Sequence, residues 1–265
     1  MPYMTTSTHP PHGQLFSLPP IAPQRTAAIA PVRTPQRSTV TGDSEVDTVI
    51  WLRELIKTGR PELIATAREE ATSIKTPLTE LEKRFCRYLV ATHGNSMAGL
   101  ASFGFGDLDA LERRVACDMQ RQEEALARFG CREAVLADMP AETFAREALR
   151  GLRRRKSGFF DPSQVEKRFA AWPAQLPCTL SECLAELTYW RDLSRLRHSF
   201  DGVGDAISEA FERECFVLRR LASIAPASTT EAIAVFDYLE SERLLDQADA
   251  TAILRNLIKG PRAAR

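Results

Sequence analysis

Between Asp107 and Phe129 the apolar residues Leu108, Leu111, Val115, Met119, Leu126 and Phe129 recur at steps of three and four, with one gap of seven. That spacing returns to one side of an α-helix and would scatter over both faces of a strand, so the segment is expected to be one long helix. The same period recurs before it. Val46, Ile50, Leu52, Leu55 and Ile56 form a stripe that ends at Gly59, a residue suited to the left-handed turn after a helix. Pro61 then opens a helix to about Ile74, at a first turn where its missing N–H does no harm. Leu81, Phe85, Tyr88, Leu89 and Val90 give a third helix from Leu78 to Thr92. Residues 133–156 read as a helix broken around Pro140 and ending in basic residues, and Val165, Phe169 and Trp172 as a short one.

Further on, Thr179 and Glu182 have the spacing of a capping box before Leu184, Leu187, Trp190, Leu193 and Leu196. Asp205 is placed to cap a helix to Ser223, and two more helices are expected through Ile233, Phe236 and Leu239 and through Ile253, Leu254 and Leu257. Ala, Leu, Arg and Glu abound and β-branched runs are few, so the expected fold class is all-α. No repeat period is present.

Residues 1–44 break the pattern. Eight of the 16 prolines lie between Pro2 and Pro35, and no apolar period runs through them. Such a stretch buries too little surface to offset its ordering entropy, and a disordered arm is expected. From residue 1 to 42 it carries Arg25, Arg33 and Arg37 and no acid, the composition either of a plain solvated tail or of an arm that touches phosphate. Within it, Gln14-Leu15-Phe16-Ser17-Leu18-Pro19 resembles the sliding-clamp-binding peptides of bacteria, which implies a protein partner for the arm. The remaining expected divisions are a helical unit over 45–156, a connector over 157–177 with Pro162, Pro173 and Pro177, and a C-terminal helical bundle over 178–265. The bundle helices either close the core or form a dimer interface.

Thirty-five basic residues against 35 acidic ones exclude a uniformly basic polyanion binder, so any contact with phosphate must come from a local patch. No apolar run approaches the roughly 20 residues of a membrane span, and no signal peptide is visible. The six cysteines form no CxxC pair and most fall inside helical patterns, which points to a reducing cytoplasm and to no zinc or disulfide framework. Dinucleotide, phosphate-loop and nucleophile-elbow motifs are missing. His9 and His12 sit in the arm, His93 at a helix end, and His198 beside Arg195 and Arg197 on a face that reads as solvated. A non-catalytic protein without cofactor or metal is expected.

Leu78-Thr79, Glu82, Phe85, Tyr88-Leu89, Gly94-Asn95, Ala98, Ala101 and Phe103-Gly104 form a helix, a Gly-Asn turn and a short Ala-rich helix before the long one. In this, residues 78–129 resemble the helix-turn-helix of phage terminase small subunits, about a fifth of the chain. The resemblance implies DNA binding in a phage or mobile-element setting. The long helix then becomes the reading helix, with Arg113, Arg114 and Arg121 towards DNA. Two departures count against it: Gly104 and Gly106 lengthen the turn, and residues 107–128 hold six acids against four arginines. A second patch, Arg146, Arg150, Arg153, Arg154, Arg155 and Lys156 with one acid (Glu147), supplies forks for sequence-blind phosphate contact if the helix continues through it. The aromatic pairs Phe159-Phe160 and Tyr189-Trp190 can stack on bases, although beside leucines they fit a core better. The leading expectation is a DNA-associated regulator or recognition subunit. The alternative is a helical protein-interaction scaffold or adaptor, with self-association open to either.

Overall fold

The computed structural model describes residues 9–22, 33–156, 158, 160–200 and 207–260. Among these the chain is all-α, with twelve α-helices, two 3-10 helices and no strand. It divides into two compact units, Pro23–Glu124 and Met1–Ala22 with Ala125–Arg265. In the arm, α1 (His12–Leu15) is a single turn that belongs to the larger unit.

The smaller unit is built from α2 (Ser44–Lys57), α3 (Pro61–Ala71), α4 (Leu78–His93), a 3-10 helix (Ser96–Ser102) and the first part of α5 (Leu108–Phe129). Asp43 caps α2 by accepting from the amides of Glu45 and Val46. Gly59 follows α2 at φ 69°, a left-handed backbone that favours glycine, and a Cβ there would push aside the flexible Met119 side chain, whose Sδ would lie 2.1 Å away. Its cores are small. Leu52, Leu55, Ile56, Ala67 and Leu111 form one, and Val46, Val49, Leu81 and Phe105 another.

Residues 33–43 run along this unit. Trp51 Nε1 donates to the Pro35 carbonyl at 3.0 Å, and the Tyr88 hydroxyl donates to the Val40 carbonyl at 3.0 Å. Arg37 lies over the Trp51 ring and pairs with Glu70 at 2.6 Å. Segments 9–22 and 33–43 are therefore exceptions to the expected disorder of residues 1–44, because their aromatic and charged side chains find partners on the helical body.

The larger unit holds α6 (Arg132–Leu136), α7 (Pro140–Ala148), α8 (Pro162–Ala170), a 3-10 turn (Pro173–Gln175), α9 (Leu180–His198), α10 (Ser208–Arg220), α11 (Thr229–Ser241) and α12 (Ala250–Ile258). The capping box of Thr179 and Glu182 is formed at the start of α9. The expected cap Asp205 lies outside the described residues, as does Phe159. The stretch 157–177 is not a boundary. Val165 and Phe169 of α8 are fully buried in the same core as Phe144, Leu180, Leu187, Tyr189, Trp190 and Phe216. The division falls instead between Glu124 and Ala125, inside α5.

Two ion pairs lie inside this core. Arg213 of α10 holds Glu186 of α9 through Nε and Nη2 at 2.6 and 2.9 Å, with both side chains fully buried. Arg197 holds Glu142 at 2.7 and 2.8 Å and donates to the carbonyls of Val135 and Ala137. Burial alone would raise the Glu186 carboxyl, but the Arg213 charge and the hydrogen bonds from Arg213 and His12 hold it below the ordinary range.

Candidate functional site

The arginines singled out by sequence fall in both units, Arg113, Arg114 and Arg121 in the smaller and Arg146 to Lys156 in the larger. All nine are exposed. Four are engaged by carboxylates: Arg121 by Asp118 at 3.1 Å, Arg146 by Asp138 at 2.7 Å, Arg154 by Glu209 at 3.2 Å, and Arg155 by Asp161. Arg154 also covers the Phe160 ring. Arg113, Arg114, Arg150, Arg153 and Lys156 form no ion pair among the described residues. The helix expected to carry the second patch stops early. α7 ends at Ala148, Gly151 takes φ 81°, and 152–155 has no regular structure, so Arg146, Arg150, Arg153 and Arg154 share no helical face.

In the smaller unit the segment expected as a short helix is a 3-10 helix. Asn95 caps it by accepting from the Met97 amide, after Gly94 ends α4 in the left-handed region. A 3-10 helix has three residues per turn, so positions three apart eclipse. Gly99 and Ser102 are buried on one face, where a Cβ on Gly99 would lie 2.8 Å from Cys86 Sγ and 3.3 Å from Val90 Cγ2 of α4. The next face carries Met97, Leu100 and, at the helix end, Phe103, exposed at 64%, 52% and 77%. Single exposed apolar residues are ordinary, but three large ones in a row are not. On α4, against which this helix packs, Lys83, Arg84 and Arg87 reach the Glu80 carboxylate at 3.8, 3.9 and 3.3 Å, and Arg84 also reaches Asp43 at 3.4 Å and Glu45 at 3.8 Å. The sequence shows a short apolar stretch from Met97 to Phe103 here but not its outward face, whose signal is apolar residues three apart after a Gly-Asn turn.

The larger unit has a hollow lined by Trp190, Arg191, Ser194, Arg195, Glu214, Tyr238 and Glu242. Burial and then the Glu242 charge raise the Glu214 carboxyl, and burial pushes the Tyr238 hydroxyl up to about 12. Glu242 accepts from Arg191 at 3.1 Å and Arg195 at 3.3 Å, so the lining resembles a closed charge network. Burial likewise pushes the Cys183 thiol to about 12 and Cys215 to about 11, away from nucleophilic chemistry. Among the described residues no three of His, Cys, Asp and Glu are grouped to hold a metal, and no helix is long and apolar enough to cross a membrane.

His9 and His12, expected in a tail without scaffold, are both fixed. His9 Nε2 lies 2.9 Å from Glu147, and His12 Nε2 lies 2.8 Å from Glu186. Tyr189 and Trp190 are core residues. Comparison with protein-family models, with curated proteins and with solved structures gave no match.

Proposed function

We propose that the chain is a non-catalytic helical adaptor that binds another polypeptide through the Met97, Leu100 and Phe103 stripe. The observation that carries this reading is the exposure of three large apolar side chains on one face of a helix whose adjacent face is packed on α4. A flexible thioether beside Leu and Phe suits the apolar side of an incoming amphipathic helix. On α4, Lys83 and Arg87 share the single carboxylate of Glu80, which favours acidic residues flanking that helix. The test compares wild-type protein with a Met97→Ser/Leu100→Ser/Phe103→Ser variant in affinity purification from the native host. A polypeptide retained by the first and lost by the second supports the reading. The same proteins retained by both would overturn it.

DNA association is a second reading, favoured by one observation. Arg113 and Arg114 are exposed on α5 without ion pairs, and Arg114 is close enough to Arg53 to help depress its guanidinium pKa, after the larger effect of burial. Engagement of Arg121, Arg146, Arg154 and Arg155 by carboxylates removes nearly half of the expected footprint. On this reading a fluorescence-anisotropy titration on random duplex tightens as salt falls, and Arg113→Ala with Arg114→Ala lowers the salt slope. No binding at ~50 mM salt, where sequence-blind phosphate contact is strong, removes the reading.

A further inference from the structure

The Leu15-Phe16 step of the arm lies in a groove of the larger unit. Leu15 and Phe16 are buried, and the Phe16 ring meets Tyr189 and Trp190 edge-on at 5.8 Å each and Phe144 at 6.5 Å. His12 adds its hydrogen bond to Glu186, and His9 packs edge-on against Trp172 at 5.7 Å while reaching Glu147. Gln175 Nε2 donates to the carbonyls of His9 and Pro10, and Arg128 donates to that of Pro19. The arm is gripped as a ligand is gripped, by side-chain anchors and a few hydrogen bonds to its backbone carbonyls.

The floor and walls of the groove come from residues outside the arm. Its floor is the Glu186–Arg213 pair, made by α9 and α10 alone, and Arg213 also donates to the Gln175 carbonyl at 2.7 Å. Its walls, Phe144, Trp172, Tyr189 and Trp190, come from α7, the turn after α8, and α9. The arm also leaves hydrogen-bonding capacity unused. The Tyr189 hydroxyl and Arg213 Nη1 are buried with no hydrogen-bond partner among the described residues, the Arg213 guanidinium lying against the rings of Phe16, Phe144, Phe169 and Phe216, whereas an optimised core satisfies such groups.

We infer that this groove is a peptide-binding site. Its ligand class is a short turn-forming peptide with Leu-Phe as anchor and an imidazole three residues before the Leu, facing a buried carboxylate. The chain's own residues 9–19 occupy the site in cis, and the same segment of a second copy fits it in trans. Tethering gives the cis segment an effective concentration on the order of millimolar, so the resident arm masks the site against dilute peptide. This inference does not rest on the adaptor reading, because the groove and the 3-10 stripe belong to different units.

The test uses the full chain and a fluorescent synthetic peptide of residues 9–22. A Leu15→Ala/Phe16→Ala chain, whose own arm is weakened, binds the peptide at least tenfold more tightly than wild type. The same peptide with Phe16→Ala binds neither. Equal affinity for the two chains, or a double variant that has lost its cooperative melt, overturns the inference by showing that these residues are an integral part of the core. Hydrogen exchange on wild-type protein gives an independent result. The Leu15 and Phe16 amides, bonded to the Pro11 and His12 carbonyls, exchange by local release of the arm, well before the amides of α9. Exchange of both only through global unfolding overturns it equally.

Discussion

Leu15 and Phe16 lie in a Pro-rich stretch that has the composition of a tail, yet they are buried. Met97, Leu100 and Phe103 lie within the helical body, yet they are open to solvent. What separates the two segments is the surface each meets. The first faces a groove lined by four aromatic rings and floored by an ion pair. The second belongs to a helix whose buried face is occupied by Gly99 and Ser102, with nothing among the described residues of its own unit to cover the next face. Burial here follows the availability of a receptor surface rather than the position of a segment in the chain.

The largest expected effect tests that receptor. Arg213→Ala leaves Glu186 buried without its counter-charge, and urea denaturation should show a loss of about 3–5 kcal/mol. Removal of the surface arginine Arg154 should stay within ~0.5 kcal/mol. A small effect at Arg213 would mean that the groove floor is wetter and looser than the geometry describes.

The next comparison sets two phenylalanines against each other. Phe169 is fully buried and is not a groove wall, so Phe169→Ala opens a sealed core and should cost about 3–5 kcal/mol. Phe16→Ala removes an anchor from a groove that can open to water and should cost about 1.5–3 kcal/mol, near the transfer value alone. Equal losses in thermal or urea melts would erase the distinction between ligand-like and core burial.

A smaller effect depends on pH. The folded-state pKa of Glu214 is raised, so its contribution to stability is fully present below its unfolded value near 4.5 and is lost as pH rises through the folded value. Glu214→Gln should therefore gain stability over wild type at neutral pH and match it in acid. A constant difference between pH 4 and pH 8 would remove the titration of Glu214 as the cause.

The smallest effect belongs to the exposed stripe. Phe103→Ser should change stability by less than ~0.5 kcal/mol, since the ring is already in water. A larger loss would mean that the stripe is covered in the free protein and is not an open face.

Much of the helical fold was legible. Gly59, Pro61 and the Thr179–Glu182 box act within a few residues of themselves, and the long period of α5 needs no tertiary information. Three features were not legible, each for a physical reason. Over two turns a period of three differs too little from 3.6 to separate a 3-10 helix from an α-helix, so the outward face of 96–102 was hidden. The arm has no period, and what fixes it lies far off in sequence, with His12 meeting a carboxylate 174 positions away. The basic patch at 146–156 counted neighbours along the chain, whereas Arg154 is engaged by Glu209, 55 positions on.

The most direct test of the adaptor reading places a photo-crosslinking residue at Leu100 and, separately, at Arg153 in the full chain in its native host. On the adaptor reading, position 100 crosslinks to one discrete polypeptide, Phe103→Ser abolishes the product, and position 153 yields no nucleic-acid adduct. Nucleic acid captured at 153 with no polypeptide captured at 100 would contradict it.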